Sequence, residues 1–299
     1  MTSTQPYRIF DVTLARFADV SPHLRRLTFT GPEVADMTTM APDQRIKIFF
    51  PRDGIAPDVP KDGDWYKSWK ALPVADRVPM RTYTIRHLRA EQCEVDIDFV
   101  LHGETGPASR WATRAQPGDR VQMSAPNRLS RSPIDGFEWK PPAGVRHILL
   151  MADETALPAL AGILEELSAR PNLPRVEAFV EVPSNEDRIA LADWGGLTLH
   201  WLAREDADLR PGDLMIDAVR RARLPQGAAA ADLVLEDIDI DANVPWERAQ
   251  PIDGGDFYAW IAGESEAVMA IRRFLIKERG LDRRTLNLMG YWRFGKVYE

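Results

Sequence analysis

The densest chemistry in this sequence lies in Arg81-Thr82-Tyr83-Thr84-Ile85-Arg86. Laid out as a strand, the run turns Arg81, Tyr83 and Ile85 to one face and Thr82, Thr84 and Arg86 to the other. An Arg-x-Tyr-Thr strand can be no more than a strand. Its neighbourhood gives it weight: about twenty residues on come Gly103-Glu104-Thr105-Gly106-Pro107-Ala108-Ser109 and then Arg110-Trp111-Ala112, a Gly-rich turn opening into a helix. Peptide NH groups at such a turn and helix start bind phosphate. An aromatic wall for a ring, and cations and amides for a diphosphate, together meet the needs of a dinucleotide. His102, at the end of the preceding strand, belongs either to that site or to the structure that holds it.

A second constellation, Asp153-Glu154-Thr155-Ala156-Leu157-Pro158, comes after a short apolar run. It stands where a doubly wound fold places its ligand crevice. No Gly-x-Gly-x-x-Gly occurs there, and carboxylates repel phosphates, so Asp153 and Glu154 are read as capping or orienting groups. A nicotinamide carrying a 2′-phosphate would need a cation; Arg188 and Arg204 are the candidates, with Ser184 as a hydroxyl. The five histidines show no ligand spacing and there is one cysteine, Cys93, so no bound metal and no intramolecular disulfide are expected. Gly-x-Ser-x-Gly, His-Glu-x-x-His and Walker motifs are missing from the sequence.

The elements that would position these groups fall into two rhythms. Arg8–Phe17, Leu24–Thr30, Arg45–Pro51, Arg81–His87 and Val95–Leu101 read as strands bounded by Pro, Gly and Asp, which predicts a sandwich or barrel. Val95 to Phe99 alternates apolar with Asp96 and Asp98, as a half-buried strand does. Asp53–Pro79 reads as a long connection, tucked down by Trp65, Tyr66 and Trp69. The Pro- and Gly-rich stretch Ile134–Val145 reads as a linker. Beyond it strands alternate with helices: strands at His147–Met151, Val176–Val182, Leu197–Leu202, Phe257–Ala262 and Thr285–Gly290, with helices at Thr155–Ser168, Asp213–Arg223 and Ser265–Arg279. That alternation predicts a parallel sheet, with Trp201 and Trp260 in its core. The fold class expected is an antiparallel β-barrel over residues 1–140 followed by an α/β parallel-sheet domain over 145–299.

The 299 residues carry a net charge of −7, unevenly spread: residues 1–146 sum to +3 and 147–299 to −10. Within the acidic half, 232–256 holds eight acids and one base, whereas 271–299 holds eight bases and three acids. Bulk acidity argues against nucleic acid as a partner. No apolar run approaches a membrane span of about 20 residues, and the first residues lack the layout of a signal peptide. A cytoplasmic protein without membrane insertion is expected.

The chain resembles the siderophore-interacting protein family, NAD(P)H-dependent ferric-siderophore reductases of the ferredoxin-reductase-like flavoproteins. The resemblance rests on four blocks in order: Arg81 to Arg86; His102-Gly103 through Gly106-Pro107-Ala108 and Trp111; Ala152 to Ala159; and Tyr291-Trp292-Arg293-Phe294-Gly295-Lys296. It implies FAD as cofactor. Tyr83 would stack on the isoalloxazine, and Thr84 would hydrogen-bond near its N5, making this the pair at the reacting ring, with Thr82 beside them. Arg81 would neutralise the FAD phosphates, since a guanidinium fork matches phosphate oxygens; Arg86 either does the same or braces the strand. The turn Gly103, Thr105, Gly106, Pro107, Ala108 and Ser109 would hold the diphosphate through its amides.

The resemblance also places Thr155, Ala156 and Pro158 beside NADPH or NADH, with Asp153 capping or orienting. It brings Trp292 near the flavin, where the indole either stacks on the ring or only packs the chain end. For the substrate it implies Lys47, in Lys47-Ile48-Phe49-Phe50-Pro51, with Arg272, Arg273, Lys277 and Lys296 as further cations for an anionic ferric siderophore. The implied reaction passes hydride to the flavin and single electrons to Fe(III). Two rivals stay open: a reductase of this fold serving another partner such as ferredoxin, docked on the acidic stretch 232–256, and a siderophore or flavin carrier without turnover.

Overall fold

A computed structural model describes residues 5–61, 64–104, 106–205, 208–226, 244–250 and 255–296. The chain divides into two compact units, Met1–Phe137 and Glu138–Tyr298. Thr105 and most of the acidic stretch 232–256 lie outside the described residues.

The first unit holds strands β1 (Tyr7–Ser21), β2 (Leu24–Thr30), β3 (Arg45–Phe49), β4 (Met80–Thr84), β5 (His87–Arg89), β6 (Glu94–Val100) and β7 (Arg120–Pro126), with helices α1 (Trp65–Ala71) and α2 (Pro107–Arg114). The sheet order is β4-β3-β7-β1-β2-β6-β5, antiparallel throughout. β4 and β5 occupy opposite edges, yet only Ile85 and Arg86 separate them in sequence. Seven strands laid flat would put those edges about 29 Å apart, whereas the link reaches about 10 Å. The sheet therefore rolls into a barrel. Ile85 N–H donates to the Gln44 carbonyl (3.2 Å) and Arg86 N–H to that of Asp96 (2.9 Å), stitching the seam. β1 serves two neighbours by bending at irregularities near Leu14–Arg16 and Asp19–Ser21: its first half pairs with β7 and its second with β2.

Phe10, Leu27, Phe29, Ile46, Ile48, Phe50, Ile97 and Phe99 fill the barrel. The stretch read as a bare connection contains α1, which folds because Trp69 is buried with Ile9, Phe49 and Val59 and its indole donates to the Val78 carbonyl (2.9 Å). The alternation expected over Val95–Phe99 needs correction: all five residues are buried. Arg26 forks onto Asp98 at 2.7 and 2.8 Å and Arg89 onto Asp96 at 2.7 and 2.6 Å, so guanidinium groups from adjacent strands cover the charged face. Burial alone would raise the Asp96 carboxyl. Bonds from Arg89, His87 and Thr28 and the Arg89 charge outweigh it and hold the group far below the usual range.

The second unit holds β8 (His147–Ala152), β9 (Arg175–Val182), β10 (Leu197–Ala203), β11 (Trp246–Glu247), β12 (Phe257–Glu264) and β13 (Leu286–Trp292), with helices α3 (Leu157–Ser168), α4 (Asp213–Val219) and α5 (Ser265–Arg273). The order is β10-β9-β8-β12-β13-β11, parallel except for β11. Successive parallel strands run outward from β8 to β10 on one side and from β12 to β13 on the other, so the topological switch point lies between β8 and β12. Trp260 is fully buried in β12, but Trp201 is only half-buried, because β10 is the sheet's edge. Among the described residues, no helix is long and apolar enough to cross a membrane.

Candidate functional site

In the first unit the site grows from the pairing of β3 with β4. Ile46 lies opposite Tyr83 and Ile48 opposite Arg81, so Arg81 and Tyr83 share the face of the barrel core. Tyr83 packs on Phe99 (ring centroids 4.2 Å) and Phe50 (6.2 Å), and Phe50 leads to Trp111 of α2 (5.4 Å). The result is an aromatic wall in which Tyr83 stays half-buried. Its phenol is pushed well above the ordinary tyrosine value by burial, against the Arg81 charge. The Arg81 guanidinium donates to the Met80 carbonyl (2.7 Å) and has no carboxylate partner among the described residues. Burial depresses its pKa without threatening its charge.

The turn before α2 is built to leave amides open. Gly103 has φ +79°, a conformation suited to glycine, and a Cβ placed there or at Gly106 would meet nothing within 4 Å. Ser109, buried in α2, donates its hydroxyl to the Gly103 carbonyl (2.6 Å) and closes the turn. Glu104 receives Arg114 at 3.0 and 2.5 Å, bracing it from outside. α2 begins with Gly106 as N-cap and with Pro107, which has no N–H, at its first position; no side chain caps it, so the Ala108 and Ser109 amides have no acceptor within the helix. A guanidinium with no carboxylate partner among the described residues, uncapped helix amides and a half-open aromatic wall fit the diphosphate and ring of a flavin dinucleotide.

The remaining residues of this region divide. Thr84 is buried and faces away from Tyr83, opposite Arg45, while Thr82 is exposed and accepts from the Lys47 ammonium at 2.6 Å. Lys47 thus stands on the other face of the sheet from Tyr83; its pKa is lowered by burial and then by Arg45. Arg86 is directed to Asp98 (3.9 Å) and His87 (2.9 Å), with a nearly buried side chain, and so braces β6. His102 is exposed.

In the second unit the carboxyl ends of the parallel strands gather a buried polar cluster. Asp153 is fully buried: one carboxylate oxygen accepts from the Thr155 amide (2.9 Å), the Thr155 hydroxyl (2.5 Å) and the Ala156 amide (3.3 Å), and the other from the Trp292 indole (2.7 Å). It fixes the turn that leads into α3, whose first turn carries the buried Pro158. Burial, then the charge of Glu154, push its carboxyl well above the usual carboxylate range. Arg204 forks onto Glu154 (2.6 and 3.0 Å) and reaches the fully buried Glu181 (2.7 Å), which also takes the Gly212 and Met215 amides at the head of α4. Three hydrogen bonds hold this guanidinium, so a 2′-phosphate would have to displace carboxylates to use it. Arg188 is exposed, and Ser184 donates to Asp187 (2.9 Å) within a capping turn.

The proposed substrate cations do not form one group. Arg272 is buried and bonded to Glu247 (2.6 Å), inside the fold, whereas Arg273 and Lys296 are exposed. Two residues of the cluster were not singled out in the sequence. Glu181 interrupts the apolar Phe179-Val180-Glu181-Val182, and Gly263 ends a strand where a Cβ would lie 2.7 Å from Asp153; an acid or a glycine inside an apolar strand is the signal that marks them.

A β-barrel bearing this cradle, followed by a parallel sheet with its crevice at the switch point, defines the class: an FAD-binding protein of the ferredoxin-reductase-like fold. The fold recurs in the ferredoxin reductase of carbazole 1,9a-dioxygenase, 13% identical with a TM-score of 0.60 over 97% of this chain and 71% of that one. The family profile described as siderophore-interacting FAD-binding domain matches residues 13–130, and that of the siderophore-interacting protein matches 145–295. The chain belongs to the siderophore-interacting protein family.

It is similar to ferric vibriobactin reductase ViuB of Vibrio cholerae, 28% identical over 98% of this chain and 91% of that protein. It is similar also to the NADPH-dependent ferric-chelate reductase of Escherichia coli, 27% identical over 95% and 93%. Among solved structures, a siderophore utilization protein from T. fusca is 27% identical, with a TM-score of 0.71 over 99% of this chain and 96% of that one.

Proposed function

We propose that this chain is an FAD-dependent ferric-siderophore reductase that takes hydride from NADPH or NADH and releases iron as Fe(II). The observation that carries the reading is Arg81, without a carboxylate partner among the described residues, on one face with the half-open Tyr83 ring, in a chain whose two halves both match the siderophore-interacting family. Arg81 and the backbone N–H groups of Ala108 and Ser109 at the head of α2 hold the FAD diphosphate, and Tyr83 packs on its ring. Thr84, buried in the same strand, fixes the backbone beside the reacting edge. When bound, FAD supplies the exchange between a hydride donor and a one-electron acceptor.

One NAD(P)H then reduces two ferric complexes, ending as NAD(P)⁺ and a released proton. Iron of lower charge binds hard oxygen donors more weakly, so the chelate opens. The nicotinamide docks at the head of α3 beside the half-buried Thr155, with the buried Ala156 and Pro158 packed beneath it. Lys47, beside Arg45 on the outer face of β3, meets the anionic chelate. Work in the cytoplasm, where nicotinamide is at hand, belongs to this proposal.

The test is anaerobic turnover with each nicotinamide over a panel of ferric siderophores, trapping Fe(II) with a coloured chelator. Bleaching of the flavin followed by Fe(II) formation is expected. A flavin that neither nicotinamide bleaches would make the chain a carrier, and a clear preference for ferredoxin over ferric chelates would move it to another electron partner.

A further inference from the structure

The two family blocks of the second unit, Asp153 to Pro158 and Tyr291 to Lys296, lie 139 residues apart in sequence at Asp153 and Trp292, yet a single hydrogen bond joins them. That bond crosses β12. Ala152 pairs with Ala262 and Trp292 with Glu264, so the residue beneath the bond is Gly263. A Cβ there would stand 2.7 Å from the very carboxylate oxygen that takes the indole, so glycine leaves the space in which the bond runs. The span lies over the switch point between β8 and β12, where a ligand of this fold enters.

The Trp292 backbone is held separately: its carbonyl accepts from the Ser265 hydroxyl (2.8 Å), and the Phe294 amide donates to Glu264 (3.1 Å). Trp292 is half-buried. Its direction therefore depends on the bond to Asp153, while its attachment does not.

We propose that Asp153 is a positioning residue: its carboxylate holds the Trp292 indole across the switch-point crevice as the surface on which the nicotinamide ring packs. The same carboxylate shapes the Thr155 turn through its other oxygen, so the two walls of the nicotinamide site are set by one side chain. This rests on the reading that nicotinamide docks at the head of α3.

Asp153→Asn separates the two duties. Three donors, from Thr155 and Ala156, compete for one position and a single indole N–H for the other. The amide oxygen settles on the three donors, and the amide NH₂ then faces the indole N–H, donor against donor. The turn before α3 survives and the indole is released. In FAD-loaded, ¹⁵N-labelled protein, the Trp292 indole proton, assigned by its loss in Trp292→Phe, should lose its protection from exchange in Asp153→Asn. The KM for nicotinamide should rise about tenfold, with flavin content and 5′-AMP affinity held within about twofold. Trp292→Phe should give the same rise, and the double variant should be no worse than either single one, because both break one link.

An indole released with the KM unchanged, or single effects that add, would overturn the proposal. A wild-type flavin that no nicotinamide reduces would instead sink the parent reading, and that failure is visible before any variant is made.

Discussion

Tyr83 is where ring chemistry and folding meet. The ring that would carry the flavin also packs on Phe99 and Phe50, so its removal opens both the site and the barrel wall. Loss of an aromatic pair costs about 0.5–1.5 kcal/mol beyond the area lost. Tyr83→Ala should accordingly weaken FAD binding about tenfold, read as flavin lost on gel filtration; an unchanged flavin content and spectrum would remove Tyr83 from the site. Lys47 poses a separate question, since it faces away from Tyr83 and donates to Thr82. Lys47→Ala should raise the KM for an anionic ferric siderophore about fivefold, a loss of about 1 kcal/mol, with the flavin spectrum intact. An unaltered KM for anionic chelates would take Lys47 out of the substrate's path. Both residues could be picked out in the sequence. Which of them share a face came from the register of β3 against β4, which no spacing within a single strand reveals.

Among the elements, β6 shows what a strand can bury when its neighbours are chosen for it. Asp96 and Asp98 read as solvent-facing by their alternation, and they are covered because β2 and β5 bring Arg26 and Arg89 over them. The folded pKa of Asp96 lies below its unfolded value of about 3.9. Its contribution to stability is therefore fully present above about pH 4 and is lost as pH falls below that toward the folded value. Melting temperature should drop as pH is lowered through about 4 to 3, and Asp96→Asn should flatten that limb while lowering stability at neutral pH. Equal slopes for wild type and variant would show that the Arg–Asp face does not govern acid stability. In the second unit, the helix and the last strand were readable from apolar periodicity, but the helix expected from Thr155 starts at Leu157, because Asp153 holds Thr155 and Ala156 in a turn. The extension of β13 to Trp292 was not readable, because it depends on Ser265 and Glu264 receiving the chain end.

At the scale of the whole molecule, each unit has its own main core, one inside the barrel and one around the parallel sheet. A ligand that binds one native unit raises its stability by about 2.7 kcal/mol at a hundredfold excess over Kd. Calorimetry of the cofactor-free chain should resolve two transitions, with FAD moving one of them upward. A single transition that shifts as a whole with FAD would show that the two cores melt together.

The sequence alone carried the division into a strand-rich half and an alternating half, the flavin-type Arg-x-Tyr-Thr strand and the Gly-rich turn before α2, because periodicity and turn chemistry are local properties of the chain. Barrel closure between β4 and β5, the burial of Arg272 against Glu247, the capture of Arg204 by Glu154 and Glu181, and the bond from Trp292 to Asp153 across Gly263 were decided only in three dimensions. Each of these depends on which partner a charged or polar group meets once it leaves water. A buried charge takes whatever opposite charge or donor the topology brings to it, and that choice is made between residues far apart along the chain.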